Sequence, residues 1–218
     1  MNYELTNRIL TSLVLLPILV YCSYYSGFYL ITFLGFVYFF CFCEIIKNTK
    51  NLLFNFFSNV ILIVAFFSFY YLRGDTNDSL IILYWILIST FLSDTGGYVC
   101  GKIFNGKKLT KISPNKTYSG SIGSIIFSII SLPSLNLFQY FFLNELLINF
   151  YQPKYFLLTA LISIICQLGD LYVSFWKRKI NIKNIGNILP GHGGVLDRID
   201  GLIFVLIFNF ILKKIGLI

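Results

Sequence analysis

An all-α, polytopic integral membrane bundle of seven to nine helices is the fold this sequence predicts, and three observations predict it. The 218-residue chain is 57% hydrophobic, only 12% charged, and has a mean hydropathy of +0.78, far from the balance of a water-soluble domain. Apolar runs recur at the length of about 20 residues that a helix needs to cross a hydrocarbon core. The polar residues are gathered into a few short segments between those runs.

In order, the runs read as crossings near residues 9–25, 28–46, 52–72, 79–100, 120–150, 155–176 and 201–217. The first follows Arg8 and lacks a small-residue cleavage site around Tyr21-Cys22-Ser23-Tyr24-Tyr25, so it is expected to be a retained helix and not a signal peptide. The fifth is too long for one straight span and contains Pro133. It predicts either one crossing plus an interfacial helix or two short helices, which is the source of the range in the count. Lys and Arg near membrane ends favour the cytoplasm. The basic connections Lys102 to Lys116 and Lys177 to Lys183 are therefore placed on that side, with the N-terminus, Lys47 and Lys50, and the uncharged turn at Ser26-Gly27 falls outside. The expected location is a bacterial-type inner membrane, with the polar connections in the cytoplasm. The chain reads as one integral membrane domain, 1–218, in which 1–100 supplies N-terminal membrane helices and 101–218 the catalytic part.

Charge and cysteine usage narrow the function classes. A net charge of +8 in so apolar a chain points to lipid headgroups or a phosphorylated substrate, not to nucleic acid. Cys22, Cys41, Cys43, Cys100 and Cys166 lie in or beside apolar runs and form neither a metal knuckle nor a disulfide framework.

The residues suited to chemistry concentrate between Asp170 and Asp200. In a helix, Ser174, Lys177 and Arg178 follow Asp170 at i+4, i+7 and i+8 and share its face. Asp197 and Asp200, spaced i, i+3, share another face directly before the last apolar run. Carboxylates brought together repel unless a cation intervenes, and oxygen ligands beside phosphate favour Mg²⁺. Gly191, Gly193 and Gly194 leave backbone amides uncovered just before a helix N-terminus, whose dipole attracts anions. These parts describe a Mg²⁺–phosphate site. The plainer readings are a solvated helix end for one Asp, positive-inside anchors for Lys177 and Arg178, and a loop hydrogen-bond donor for His192, the only histidine. Three acids, five cations and four glycines within roughly 30 residues of a charge-poor chain weigh against the plain reading of the whole segment.

The stretch from Ser174 through Lys177-Arg178 and Lys183 to Pro190-Gly191-His192-Gly193-Gly194, Asp197-Arg198 and Asp200 resembles the signature of the phosphatidate cytidylyltransferases, or CDP-diacylglycerol synthases. Asn184 stands where that family usually has Asp, and Val173 where many members carry Glu. Upstream, Asp94-Thr95-Gly96-Gly97-Tyr98, Gly101-Lys102 and Ser113-Pro114-Asn115-Lys116-Thr117-Tyr118-Ser119-Gly120 are similar to two further family elements, with Tyr118 for Trp and Ser119 for Glu. Taken alone, those glycines read equally well as helix packing in lipid.

The resemblance implies attack of a phosphatidate oxygen on the α-phosphorus of CTP, releasing pyrophosphate. It implies CTP, phosphatidate and membrane lipid as partners and Mg²⁺ as cofactor; a homodimer is left open. Asp170 and Asp197 are the leading metal ligands, with Asp94 and Asp200 for a second ion or a supporting role. Lys177, Arg178, Lys183 and Arg198 would neutralise phosphates. Lys116 with Ser113 and Thr117 would help hold nucleotide, Ser174 would join them at the surface, and His192, Gly193 and Gly194 would shape the phosphate cradle. A CTP-dependent polyprenol- or phytol-type lipid kinase is the nearest rival, and a transporter or membrane scaffold the rival from a different class.

Overall fold

A computed structural model describes residues 3–49, 51–110, 113, 116–180, 182, 186 and 194–218. Its helices are α1 (Tyr3–Tyr25), α2 (Gly27–Asn48), α3 (Leu52–Arg73), α4 (Asn77–Phe104), α5 (Tyr118–Ile129), α6 (Ser131–Phe138), α7 (Pro153–Lys179) and α8 (Leu196–Lys214). No strand occurs among the described residues, only an isolated bridge between Lys108 and Thr117. Gly27–Asn48, Leu52–Arg73, Asn77–Phe104, Tyr118–Phe141 and Pro153–Lys179 are each long and apolar enough to cross a membrane. The apolar part of α1, Leu13–Tyr25, is shorter, and α8 carries Asp197, Arg198 and Asp200 at one end and Lys213 and Lys214 at the other.

The fifth apolar region follows one path. Its helix breaks at Ile130, restarts through Pro133 as α6, and ends in a π-helical turn, Gln139–Leu143. The proline lies in the first turn of α6, where its missing N–H costs nothing. Residues 144–152 fold back as a loop whose Phe150 is fully buried. The region is thus one bent rod plus a return loop.

Short polar caps begin the helices. Asn51, Thr76 and Thr117 each accept a backbone N–H three residues on, from Phe54, Ser79 and Gly120. Gly74 ends α3 at φ 49°, a conformation glycine adopts without strain. Beside it the buried Arg73 guanidinium donates to the carbonyls of Ser23, Tyr24 and Gly74. Lys213 donates to the carbonyl of Leu72 at 3.1 Å. Both cations are thereby committed to the carbonyl ends of α1 and α3.

Side-chain distribution is that of a membrane bundle. Phe28, Phe36, Leu52 and Phe91 are exposed on the outside, while Ser68, Ser89, Ser93, Ser131 and Ser163 are buried. Serine pairs join helices, Ser89 to Ser131 at 2.7 Å and Ser93 to Ser163 at 2.8 Å, which serves where lipid offers no polar alternative. At the end of the bundle where α7 begins, Trp85, Phe150 and Tyr155 stack with ring centroids 4.9–5.8 Å apart. The Trp85 indole donates to Thr159 at 3.0 Å.

The most intimate helix pair is α4 on α5, seated on glycines. A Cβ on Gly96 would lie 2.6 Å from the Gly123 carbonyl, and one on Gly123 would lie 2.4 Å from the Cys100 Cβ. Small residues let two backbones approach where no hydrophobic force drives them together. Gly123→Val is expected to lower stability by about 1–3 kcal/mol through overpacking. Gly35→Ala, with nothing within 4 Å of the added methyl, is expected to be neutral or stabilising by up to about 1 kcal/mol. Thermal unfolding of the purified protein in detergent checks both.

Candidate active site

The ends of α2, α4, α5, α7 and α8 meet at the other end of the bundle, and the acids predicted from sequence meet with them. Helices α4 and α7 run to 28 and 27 residues, more than the roughly 20 a crossing needs. Asp94 and Asp170 therefore sit between two and three turns inside their helix ends, deeper than a cluster at the surface rim. Ligand atoms of Asp94, Cys166 and Asp170 all lie within 4.8 Å of one another. The Cys166 thiol donates to Asp94 Oδ1 at 3.3 Å. Gly201 of α8 packs onto this group: a Cβ there would stand 2.6 Å from Asp170 Oδ1 and 2.7 Å from Cys166 Sγ.

The cluster continues into α8. Asp200, beside the Gly201 that packs on Asp170, shares the repulsion of that carboxylate. Lys177, buried on α7, holds Asp197 at 2.7 Å and Asp200 at 3.3 Å. At the opposite flank Lys116 Nζ meets Asp170 Oδ2 at 3.0 Å. Two lysines thus clamp a continuous line of four carboxylates drawn from α4, α7 and α8.

The connection before α5 is fixed so that Lys116 can do this. Leu109 N–H donates to the Lys116 carbonyl at 2.7 Å, Tyr118 N–H to the Lys107 carbonyl at 3.0 Å, and Lys116 N–H to the Ser113 carbonyl at 3.0 Å. Thr117 spends its hydroxyl on capping Gly120 at 3.1 Å. Ser121 and Gln167 exchange hydrogen bonds between α5 and α7, Gln167 Nε2 reaching the Ser121 carbonyl at 3.3 Å.

The expectation that Ser174, Lys177 and Arg178 share the face of Asp170 holds only in part. Lys177 turns to α8, whereas Arg178 is exposed and donates to the Ile182 carbonyl at 3.4 Å. A helix turns 100° per residue, so adjacent cations cannot both face one partner. Ser174 is half-buried, and Arg198 is exposed on the first turn of α8. Lys183, His192 and Gly193 lie outside the described residues.

Sequence reasoning missed three members: Cys166, Gln167 and Glu44. Glu44, near the end of α2, is 1% exposed and accepts the N–H groups of Val195 at 2.9 Å and Leu196 at 3.0 Å. The anion expected at the start of α8 is therefore supplied by the protein itself. Gly194 is packed between Glu44 and Asp197. A lone Glu in an apolar run was the signal in the sequence.

A bundle with five helices, among the described residues, long and apolar enough to cross a membrane thus brings carboxylates, two lysines and a thiol together at one end. The chain belongs to the cytidylyltransferase family, whose sequence profile it matches over residues 47–215. Similar curated proteins include phosphatidate cytidylyltransferases of three organisms. That of Rickettsia conorii is 38% identical over 146 residues, 64% of this chain and 60% of the relative. That of Staphylococcus haemolyticus is 41% identical over 139 residues, 63% and 51% respectively, and that of Helicobacter pylori 37% over 142, 65% and 49%. The match spans about half to three-fifths of the length of these relatives.

A double-mutant cycle with Lys177→Met and Asp197→Asn is expected to give a coupling of about 1–3 kcal/mol in unfolding free energy. The cycle with Lys116→Met and Asp170→Asn should give less, because side-chain exposures of 27% and 21% leave that pair better solvated than the 10% and 12% of the first.

Proposed function

We propose that the chain is a phosphatidate cytidylyltransferase, converting CTP and phosphatidate to CDP-diacylglycerol and pyrophosphate. The observation that carries this reading is the line of carboxylates from Asp94 through Asp170 and Asp200 to Asp197, clamped by Lys116 and Lys177. The donor set suits Mg²⁺: the carboxylates of Asp94 and Asp170 converge, and the one sulfur beside them is engaged as a hydrogen-bond donor to Asp94. We assign Asp170 and Asp197 as its ligands, with Asp94 beside the first and Asp200 linking the two. Bound there, Mg²⁺ would offset charge on the nucleotide's phosphates and on the departing pyrophosphate.

The remaining steps belong to the chain's own residues. A phosphomonoester has its second pKa near 6, so phosphatidate is already ionised at pH 7 and no strong general base is required. Its oxygen forms a bond to the α-phosphorus of CTP as the bond from that phosphorus to the bridging oxygen breaks, and the electron pair leaves with pyrophosphate. Lys116 and Lys177 are placed to exchange a carboxylate for a phosphate oxygen when substrates arrive. Arg178, Lys183 and Arg198 would add positive charge at the mouth. By the family resemblance, Ser113, Thr117 and Ser174 would help hold the nucleotide, and His192, Gly193 and Gly194 would shape its phosphate cradle.

The lipid's path is supported by a cleft between α3, α7 and α8. Phe54, Leu62, Tyr172, Trp176 and Phe204 line it, and Lys177 stands among its walls. Apolar walls leading to a buried ammonium suit acyl chains with a phosphate head. We further propose seven crossings, with the site facing the cytoplasm of an inner membrane. The basic connections then lie inside, while Arg73 and Lys213 at the outer end are neutralised by helix carbonyls.

Purified protein in liposomes with Mg²⁺ and phosphatidate, supplied with CTP labelled at the α or the γ position, tests the reading. Label in the lipid from the α position only, with release of pyrophosphate, is expected. Lipid labelled from the γ position would instead identify a lipid kinase, and no turnover would favour a transporter or scaffold. Asp170→Asn is expected to lower turnover by about 100-fold or more.

A further inference from the structure

We infer that Glu44 is a positioning residue: from α2 it fixes the start of α8 and so sets where Asp197 stands against Lys177. The inference rests on the cytidylyltransferase reading for its catalytic consequence, but its structural part is independent of it.

Glu44 lies outside the span that matches the family profile and 151 residues before the amide that it caps. Its two carboxylate oxygens take one backbone N–H each, Oε1 from Val195 and Oε2 from Leu196. These are among the amides that open α8 and have no partner inside the helix. Val195 itself has no side chain able to cap. At 1% exposure the carboxylate is held by these two bonds and the positive end of the helix dipole. No Lys or Arg among the described residues pairs with it.

Two glycines show how closely this carboxylate is fitted. A Cβ on Gly186 would lie 2.4 Å from Glu44 Oε1, and one on Gly194 would lie 2.9 Å from Oε2 and 3.1 Å from Asp197 Oδ2. The chain thus folds over Glu44 on one side and α8 abuts it on the other. Asp197 is the second residue of α8, immediately after the capped Leu196. With the first turn pinned to α2, Asp197 is presented to Lys177 at 2.7 Å. Glu44 also occupies the helix-end amides that a phosphate would otherwise take, so substrate phosphates meet side-chain cations instead.

The test compares the full-length protein with Glu44→Gln and Gly186→Ala in detergent or liposomes. Glutamine keeps the shape but turns an N–H₂ group toward one backbone donor. The alanine pushes a methyl into the same carboxylate while leaving Glu44 in place. Both variants are expected to speed amide hydrogen exchange at Val195 and Leu196 by about tenfold or more, without a matching change in α7. Both should lower kcat about tenfold or more, with the KM for CTP within about twofold. Unchanged exchange at those two amides in Glu44→Gln overturns the inference, as does faster exchange with kcat unaltered in an active protein. If the parent protein shows no turnover with CTP and phosphatidate, the cytidylyltransferase reading fails, and the exchange rates alone decide the role of Glu44.

Discussion

Four carboxylates gathered at one end of an apolar bundle are the constraint to which the rest of this structure answers. Asp94, Asp170, Asp197 and Asp200 come from three helices, and their mutual repulsion would push those helices apart. Lys116 and Lys177 oppose it from the two flanks. Each flank of the line is thus held by one lysine, Lys116 on the side of Asp170 and Lys177 on the side of Asp197 and Asp200.

The bundle is organised to hold that unfavourable arrangement. Helices α4 and α5 meet backbone to backbone through glycines, which sets the loop carrying Lys116 over α7. Gly201 lets α8 come close enough for Asp200 to join Asp170. Serine pairs tie α4 to α6 and α7 without exposing a polar group to lipid. Each device brings backbones close at small volume, leaving the larger side chains to cover the outside of the bundle.

Much of this was legible in the sequence, because hydropathy and spacing are local properties. The apolar runs located the helices, α1 and α8 starting some residues earlier than expected, and the i, i+3 spacing of Asp197 and Asp200 put both on one helical face. The path of residues 120–150 was not legible, since a proline is equally at home in a first turn and at a break. Nor was the divergence of Lys177 and Arg178, which depends on where α8 packs. Asp94 and Asp170 could be ranked as candidates, but their sharing of one group with Cys166 is set by helix rotation, on which hydropathy is silent. Glu44 escaped because its partners are backbone amides far along the chain, and an amide leaves no letter in a sequence.

The aromatic stack of Trp85, Phe150 and Tyr155 has a consequence for the membrane as an insulator. Trp85 and Phe150 are wholly enclosed, and the indole N–H is taken up by Thr159. A row of carboxylates open to water at both ends would be a ready conduit for protons, draining the gradient on which a cell depends. Those buried rings fill the end of the bundle opposite the row, so the carboxylates face only their own side.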